Sequence, residues 1–117
     1  MSSFRTKVTE DELAKSPLIQ GASEVNDENW GDLTLRLSDG KVRYSQKNGQ
    51  ASFDVAGTYT TDGDVIKMKF DEIGEDWGFR WSLYRGTLKF TRDTSLGVPP
   101  ELHSPTPFLI NPWERVG

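Results

Sequence analysis

The feature that most constrains this chain is a run of short segments, from Trp30 to Arg92, in which apolar and polar residues alternate. A period of two places apolar side chains on one face of a β-strand, and Gly-containing turns separate the segments at regular intervals. Six strands are predicted here, with tight turns at Asp39-Gly40 and Asn48-Gly49 among their connections. Short connections between successive strands favour an up-and-down antiparallel meander that closes or nearly closes on itself.

The segment before this run is predicted to be a helical lead-in covering residues 1 to 31. Thr9 and Glu12 have the spacing of a capping box, which predicts a short helix over roughly residues 10 to 15. Pro17 follows at a place where a helix would already have ended. A second helical turn is predicted over Ser23 to Asn29, because Ser23 can cap it and acidic residues suit its first turn.

The segment after the run has little periodicity and several prolines. Residues 93 to 107 are predicted to form a proline-rich strap, and Phe108 to Val116 a final short strand or extended segment. Pro112 interrupts that segment, which suggests an edge position. Taken together, residues 1 to 117 are predicted to be one all-β domain, an antiparallel up-and-down barrel of about seven or eight strands with one or two short N-terminal helices.

Composition excludes several classes of function. The chain has 117 residues with a net charge of −4, and this acidic balance argues against a nucleic-acid partner, whose phosphates require clustered Lys and Arg. It has no Cys, which excludes disulfides, thiolate catalysis and Cys-ligated metals. No run approaches the roughly 20 apolar residues of a membrane span. Aromatic residues, at 11% of the chain, must supply much of the core.

The aromatic face of the strands is the candidate binding site. Its side chains point toward the predicted barrel interior, which can be filled by packing or can leave a cavity for one small ligand. The tyrosines favour a cavity, since a buried phenol needs a hydrogen-bond partner that a ligand can provide. The predicted ligand-binding residues are Tyr44, Tyr59, Met68, Phe70, Phe79, Trp81 and Phe90.

Catalytic and metal-binding groups are not apparent. His103, the one histidine, lies in the proline-rich strap without a nucleophile motif beside it, and an exposed loop histidine is the simpler interpretation. A carboxylate cluster lacks the regular spacing of a calcium-binding loop and is interpreted as solvated charge; it comprises Asp71, Glu72, Glu75 and Asp76. We therefore predict no catalytic residue, no metal site and no cofactor.

Three segments, taken in order, resemble a known family. They are Gly57 to Asp64, Arg80 to Phe90 and Pro112 to Val116, and they are similar to a lipocalin-like, or calycin-like, small barrel domain of actinobacterial proteins. Domains of this family include one that is appended to the C-terminal end of ABC-transporter solute-binding proteins. The resemblance implies binding of a small, largely apolar molecule without a metal or cofactor. It also implies that Trp30 and Arg115 form a cation-π pair at the closed end of the barrel.

The expected function is non-catalytic binding of a small hydrophobic or amphipathic molecule inside the barrel. One alternative is a biosynthetic cyclase or isomerase that works by shaping its substrate, since such an enzyme needs little beyond proximity and a dry cavity. Another is an accessory protein-interaction domain of a transporter solute-binding protein. The sequence leaves open whether the protein forms a homodimer. The location is expected to be cytoplasmic, because no signal peptide is apparent, or extracytoplasmic if the chain is a piece of a larger secreted protein.

Overall fold

The computed structural model describes residues 2–16, 29–71, 76–92 and 107–116. These residues contain eight strands and two short helices. In chain order they are β1 (Ser2–Val8), α1 (Glu10–Lys15), β2 (Gly31–Ser38), β3 (Lys41–Lys47), β4 (Ser52–Asp62), β5 (Val65–Phe70), β6 (Asp76–Tyr84), β7 (Thr87–Arg92), α2 (Pro107–Ile110) and β8 (Trp113–Arg115). Each strand pairs with the next, and β8 pairs with β1, so the sheet is a closed barrel. The predicted all-β antiparallel up-and-down barrel is confirmed.

The strand register explains how the alternating sequence builds one interior. Phe4 faces Leu35, Leu35 faces Tyr44, and Tyr44 faces Val55 across four successive strands. All four are buried, with exposed fractions of 7% or less. Directly paired residues lie on the same face of a sheet, so each such row forms part of a ring around the lumen. The intervening positions, such as Arg5, are exposed.

Two hairpins have the backbone that their sequences predict. Asp39 and Gly40 have φ angles of 50° and 78°, and Arg85 and Gly86 have φ angles of 52° and 82°. Positive φ at both central residues is typical of the two-residue hairpin turn whose twist matches that of the paired strands. Asp-Gly is a preferred sequence for this turn. The predicted turn at Asp39-Gly40 is therefore confirmed.

Gly57 allows β4 and β5 to approach each other closely. It is paired with Val42 of β3 and with Phe70 of β5. A β-carbon built on Gly57 would collide with the main-chain carbonyl of Lys69. Backbone approaches as close as this one require glycine, since any other residue would have to displace the neighbouring strand.

The barrel has two different ends. The turn end carries the short β2–β3, β4–β5 and β6–β7 turns, together with the start of β1 and the end of β8. The helix end carries α1, α2 and the β3–β4 turn, where Asn48 Oδ1 accepts hydrogen bonds of 2.8 Å from the main-chain N–H groups of Gln50 and Ala51. This difference decides where the lumen is filled and where it is open.

The N-terminal lead-in contains a strand that was not predicted. Ser2–Val8 forms β1, and the prediction of a purely helical lead-in over residues 1 to 31 is wrong for this part. Its buried positions alternate with exposed ones, which is the same signal that identified the later strands. The predicted helix over residues 10 to 15 is confirmed as α1. The predicted helical turn over Ser23 to Asn29 lies, apart from Asn29, outside the described residues.

The C-terminal segment also differs from its prediction. Residues 108 to 110 belong to α2 instead of an extended segment, and Pro107 at the first position of α2 suits a helix start. The predicted final short strand is confirmed as β8. β8 pairs with both β1 and β7, so the predicted edge position is wrong. Pro112 falls between α2 and β8, where its carbonyl accepts a 2.9 Å hydrogen bond from the Thr6 hydroxyl. The remainder of the predicted strap, residues 93 to 106, lies outside the described residues.

The register separates Trp30 from Arg115. Trp30 precedes Gly31, which faces Val8 at the helix end of β1. Arg115 faces Phe4 toward the turn end of β1. The four-residue difference along β1 corresponds to about 13 Å at about 3.3 Å per residue. The cation-π pair implied by the family resemblance is therefore not supported by this register.

Candidate binding cavity

The lumen is filled at the helix end by the Phe108 side chain of α2. Phe108 is 1% exposed, and its ring centroid lies 4.7–5.7 Å from those of five other aromatic residues. Most of these contacts are edge-to-face or tilted, geometries that aromatic pairs favour. The five residues are Tyr44, Trp77, Phe79, Phe90 and Trp113. We refer to this group, with Phe108, as the aromatic plug.

Hydrogen bonds hold the plug against the N-terminal elements. The indole N–H of Trp113 donates to the Phe108 carbonyl over 3.2 Å. The side-chain amide of Asn111 donates to the Lys7 carbonyl over 2.8 Å and to Glu12 Oε2 over 3.0 Å. The short segment that carries Phe108 is thus tied to both β1 and α1.

Glu12 joins this connection to the start of α1. The Glu12 main-chain N–H donates to Thr9 Oγ1, and the Thr9 N–H donates to Glu12 Oε1, each over 3.1 Å. The predicted capping box is therefore confirmed. The hydrogen bond from Asn111, followed by that from the Thr9 main chain, lowers the pKa of Glu12 below its ordinary value of 4.5.

Glu12→Gln is expected to lower the Tm at neutral pH by an amount that shrinks in acid. A carboxylate whose pKa is lowered by folding stabilises the fold above its unfolded pKa of 4.5, and this contribution is lost as pH falls through the lower folded pKa. Thermal unfolding followed by circular dichroism between pH 7 and pH 3 measures the difference. Glu10→Gln, in the same first turn, is the control. A difference that stays constant over this range would contradict the role of the Glu12 carboxylate.

The lumen is open at the turn end, where it forms a cavity of about 250 Å³. The lining positions share two properties: they are the inward positions of their strands, and they are the ones nearest the tight turns. The lining residues are Ser2, Phe4, Leu37, Tyr59, Thr61, Ile66, Trp81, Leu83 and Leu88.

The cavity wall is apolar with a few hydrogen-bonding groups. Phe4, Ile66 and Leu88 are 2–3% exposed, whereas Leu83 is 46% exposed. Hydroxyl groups come from Ser2, Thr61 and Tyr59. The cavity is slightly smaller than the roughly 300–1,000 Å³ of drug-sized ligand sites. It equals the volume of about eight water molecules at about 30 Å³ each.

One lining residue, Trp81, carries an indole N–H that is itself buried. Three indole N–H groups, those of Trp30, Trp77 and Trp81, are buried without a hydrogen-bond partner among the described residues. Of the three, only Trp81 lines the cavity. A buried donor without a partner costs about 1–3 kcal/mol.

The predicted ligand-binding residues separate into two groups. Two of them, Tyr59 and Trp81, line the cavity. The other five are buried beneath it, either in the aromatic plug or packed next to it, and their contact with a ligand stays a prediction. These five are Tyr44, Met68, Phe70, Phe79 and Phe90.

Burial has an electrostatic effect on Tyr44. This phenol is 3% exposed, and desolvation raises its pKa above the ordinary value of 10. Tyr44 is therefore neutral throughout the physiological range. Its ring lies 5.6 Å from that of Phe53 and 4.7 Å from that of Phe108, so it acts as part of the packed interior.

Seven lining residues were not among those predicted, and most carried a usable signal. Leu37, Thr61 and Leu83 continue the alternation of β2, β4 and β6 up to the turns, so counting inward positions to the end of each strand would have found them. Ser2 and Phe4 belong to the strand that was not predicted. Ile66 and Leu88 are buried and alternate with the exposed Lys67 and Lys89, so the same count would have included them.

Two larger depressions lie on the outer surface and are open to solvent. One, of about 440 Å³, runs over the outside of β2, β3 and β4 and includes Arg36, Lys41 and Arg43. The other, of about 510 Å³, lies between α1 and the residues around Leu109 and Ile110. Neither is enclosed by the barrel, so the lumen cavity is the better candidate for a binding site.

The remaining candidates from the sequence are only partly described. His103, Glu72 and Glu75 lie outside the described residues, as does the side chain of Asp76, while Asp71 is exposed. In the described ranges, no group of three or more His, Asp or Glu side chains could hold a metal ion. The two helices among these residues are too short to span a membrane.

Comparisons with known proteins do not add to this geometry. No family model, curated protein or solved structure matched the chain. The function is therefore inferred from the barrel and its cavity, and the resemblance to lipocalin-like domains stays a prediction.

Proposed function

We propose that this protein reversibly binds one small apolar or amphipathic molecule in the cavity at the turn end of the barrel, without chemical conversion. The observation that carries the proposal is the 250 Å³ cavity in the lumen, because six of the eight strands contribute to its wall and that wall is mostly apolar. Transfer of apolar surface from water into such a site is favourable by about 25 cal/mol per Å².

The polar groups of the wall support binding with a defined orientation. The hydroxyl-bearing residues Ser2 of β1 and Tyr59 and Thr61 of β4 line the same cavity. A few hydrogen-bonding groups in an apolar wall are typical of small-molecule sites, where they select polar atoms of the ligand. Leu83, which is 46% exposed, adds apolar surface where a ligand would enter.

A pair of adjacent threonines tests the proposal. Both threonines are exposed, but Thr61 lines the open cavity, whereas Thr60 lies on the other face of β4. Thr61→Phe is expected to fill the cavity and to weaken binding of 1-octanol, a neutral eight-carbon probe, by at least about tenfold, or about 1.4 kcal/mol. Thr60→Phe is expected to leave the affinity unchanged. Isothermal titration calorimetry measures both.

The result that would overturn the proposal is equally specific. If 1-octanol binds both variants and the wild type with the same affinity, the cavity is not the binding site. If it binds none of them, and native mass spectrometry of the protein purified from its source shows no retained small molecule, the binding function is wrong.

A further inference from the structure

The wall of the cavity changes in polarity from its base to its mouth. Phe4, Ile66 and Leu88 have hydrocarbon side chains that are 2–3% exposed, and they form the base. Ser2 is half-buried at the first position of β1, and Thr61 is exposed next to the last position of β4, so both lie at the mouth. A molecule with one apolar end and one polar end fits this wall with its apolar end at the base.

The base of the cavity is closed by packed side chains. Two residues farther toward the helix end on β1, β5 and β7, the inward positions are Thr6, Met68 and Phe90. Their exposed fractions are 9%, 0% and 2%, and Phe90 belongs to the aromatic plug. A molecule that enters at the mouth therefore meets an end wall. The volume of about 250 Å³ corresponds to about eight water-sized groups, which sets a limit of about eight non-hydrogen atoms.

The cavity wall carries no charge, and the surface around the mouth carries both signs. None of the nine lining residues is Asp, Glu, Lys, Arg or His. An ion that leaves water for such a wall finds no opposite charge to compensate for its lost hydration. The exposed charged residues of the turn end, among those described, are Asp39, Lys41, Asp62, Asp64, Arg85, Glu114 and Arg115. Because acidic and basic residues are mixed there, the mouth gives neither sign a clear advantage.

We propose that the ligand is a neutral hydrocarbon of about eight non-hydrogen atoms with one hydroxyl or carbonyl group, bound with its hydrocarbon end at the base. This inference rests on the proposed binding function. A hydroxyl can both donate and accept a hydrogen bond, so the hydroxyl-bearing residues at the mouth suit either polar group. An ionised group would instead stay in water beyond the mouth and would draw part of the hydrocarbon out of the cavity.

A series of 1-alkanols from four to eleven carbons tests the closed base on the wild-type protein. Each added methylene is expected to tighten binding about fourfold while it still enters the cavity. Beyond about seven carbons the affinity is expected to stay roughly constant, because further methylenes remain outside. Isothermal titration calorimetry measures each affinity.

Two leucine variants test which side chains set this limit. Leu88→Ala removes three carbon atoms from the base and is expected to move the limit toward longer chains by up to about three carbons. Leu33→Ala removes the same atoms from a residue that is also fully buried but does not line the cavity, since it faces Thr6 on β1. It is expected to leave the limit unchanged.

Three eight-carbon probes that differ in the head group test the neutrality of the ligand. At pH 7, 1-octanol is neutral, octanoate anionic and octylammonium cationic. Withdrawal of one or two methylenes from the cavity costs about four- to fifteenfold in affinity, so 1-octanol is expected to bind more tightly than either ion by this factor. The two ions are expected to bind within about threefold of each other.

The outcomes distinguish this inference from the function on which it rests. Tighter binding of either ion than of 1-octanol overturns the neutral ligand, and a constant gain per methylene up to eleven carbons overturns the closed base. A limit that Leu88→Ala leaves unchanged, or that Leu33→Ala moves equally, overturns the place of Leu88 in the base. No binding of any probe overturns the proposed function itself. Should Leu88→Ala fail to fold, the two probe series on the wild-type protein still decide the size and charge of the ligand.

Discussion

Replacing Gly57 with alanine is expected to destabilise the fold by at least about 3 kcal/mol, a large part of the total stability of a small domain. The added β-carbon would collide with the Lys69 carbonyl, which is main chain and therefore cannot rotate away. Relief requires β4 and β5 to separate at the residue where Gly57 joins the ladders to Val42 and Phe70. Urea unfolding followed by tryptophan fluorescence measures the loss as a lower midpoint.

Gly49→Ala is the matched control for this experiment. Gly49 lies in the β3–β4 turn, and a β-carbon there would meet no atom within 4 Å. Its substitution is expected to change stability by no more than about 0.5 kcal/mol, as is usual for surface positions, or to stabilise slightly by restricting the unfolded chain. Equal midpoints for the two variants would show that the close approach of β4 and β5 at residue 57 tolerates a side chain.

The sequence predicts the strands of the barrel wall well, because the patterns that indicate strands and turns lie within a few neighbouring residues. From β2 to β7, inward and outward residues alternate over several positions, and turns such as Asp39-Gly40 match the required backbone. β1 carries the same signal in Phe4, Thr6 and Val8, but it is isolated from the other strands in the sequence and directly precedes the capping box. The helical signal was extended over it, which is why the lead-in prediction was wrong.

The candidate site is less predictable than the strands. Alternation of apolar and polar residues identifies the inward face of a strand, but it does not identify how far along the barrel axis an inward residue lies. Phe79 and Trp81 are both inward residues of β6, yet Phe79 contacts the ring of Phe108 while Trp81 lines the cavity. The residue that separates these levels lies in α2, well beyond β6 in the sequence. No local pattern indicates which end of the barrel such a residue will enter.

The position of Phe108 therefore connects stability with the candidate function. If the helix end were not filled, the lumen would continue from the cavity toward α1, and a larger or longer molecule could enter. Phe108 contributes its ring at the centre of five aromatic neighbours, so the packed half of the lumen depends on it. The cavity at the turn end is bounded by other residues and does not include it.

Phe108→Ala is expected to destabilise the protein by about 3–5 kcal/mol, the usual cost of removing a fully buried phenyl ring. Phe108 is 1% exposed, and its five aromatic neighbours come from β3, β6, β7 and β8, so the barrel cannot easily collapse onto the space. Phe108→Leu retains most of the volume and is expected to cost less. Urea unfolding of both variants, compared with the wild type, measures these losses.

Benzene provides a direct test of whether the loss comes from an empty space. An apolar cavity left by a deleted side chain can bind benzene, and a ligand that binds only the folded state raises the Tm. Saturating benzene is therefore expected to raise the Tm of Phe108→Ala more than that of Phe108→Leu, because the latter leaves less room. A rise of equal size in both variants and in the wild type would place benzene in the turn-end cavity instead, and Phe108 would then not be the residue that closes the other end of the lumen.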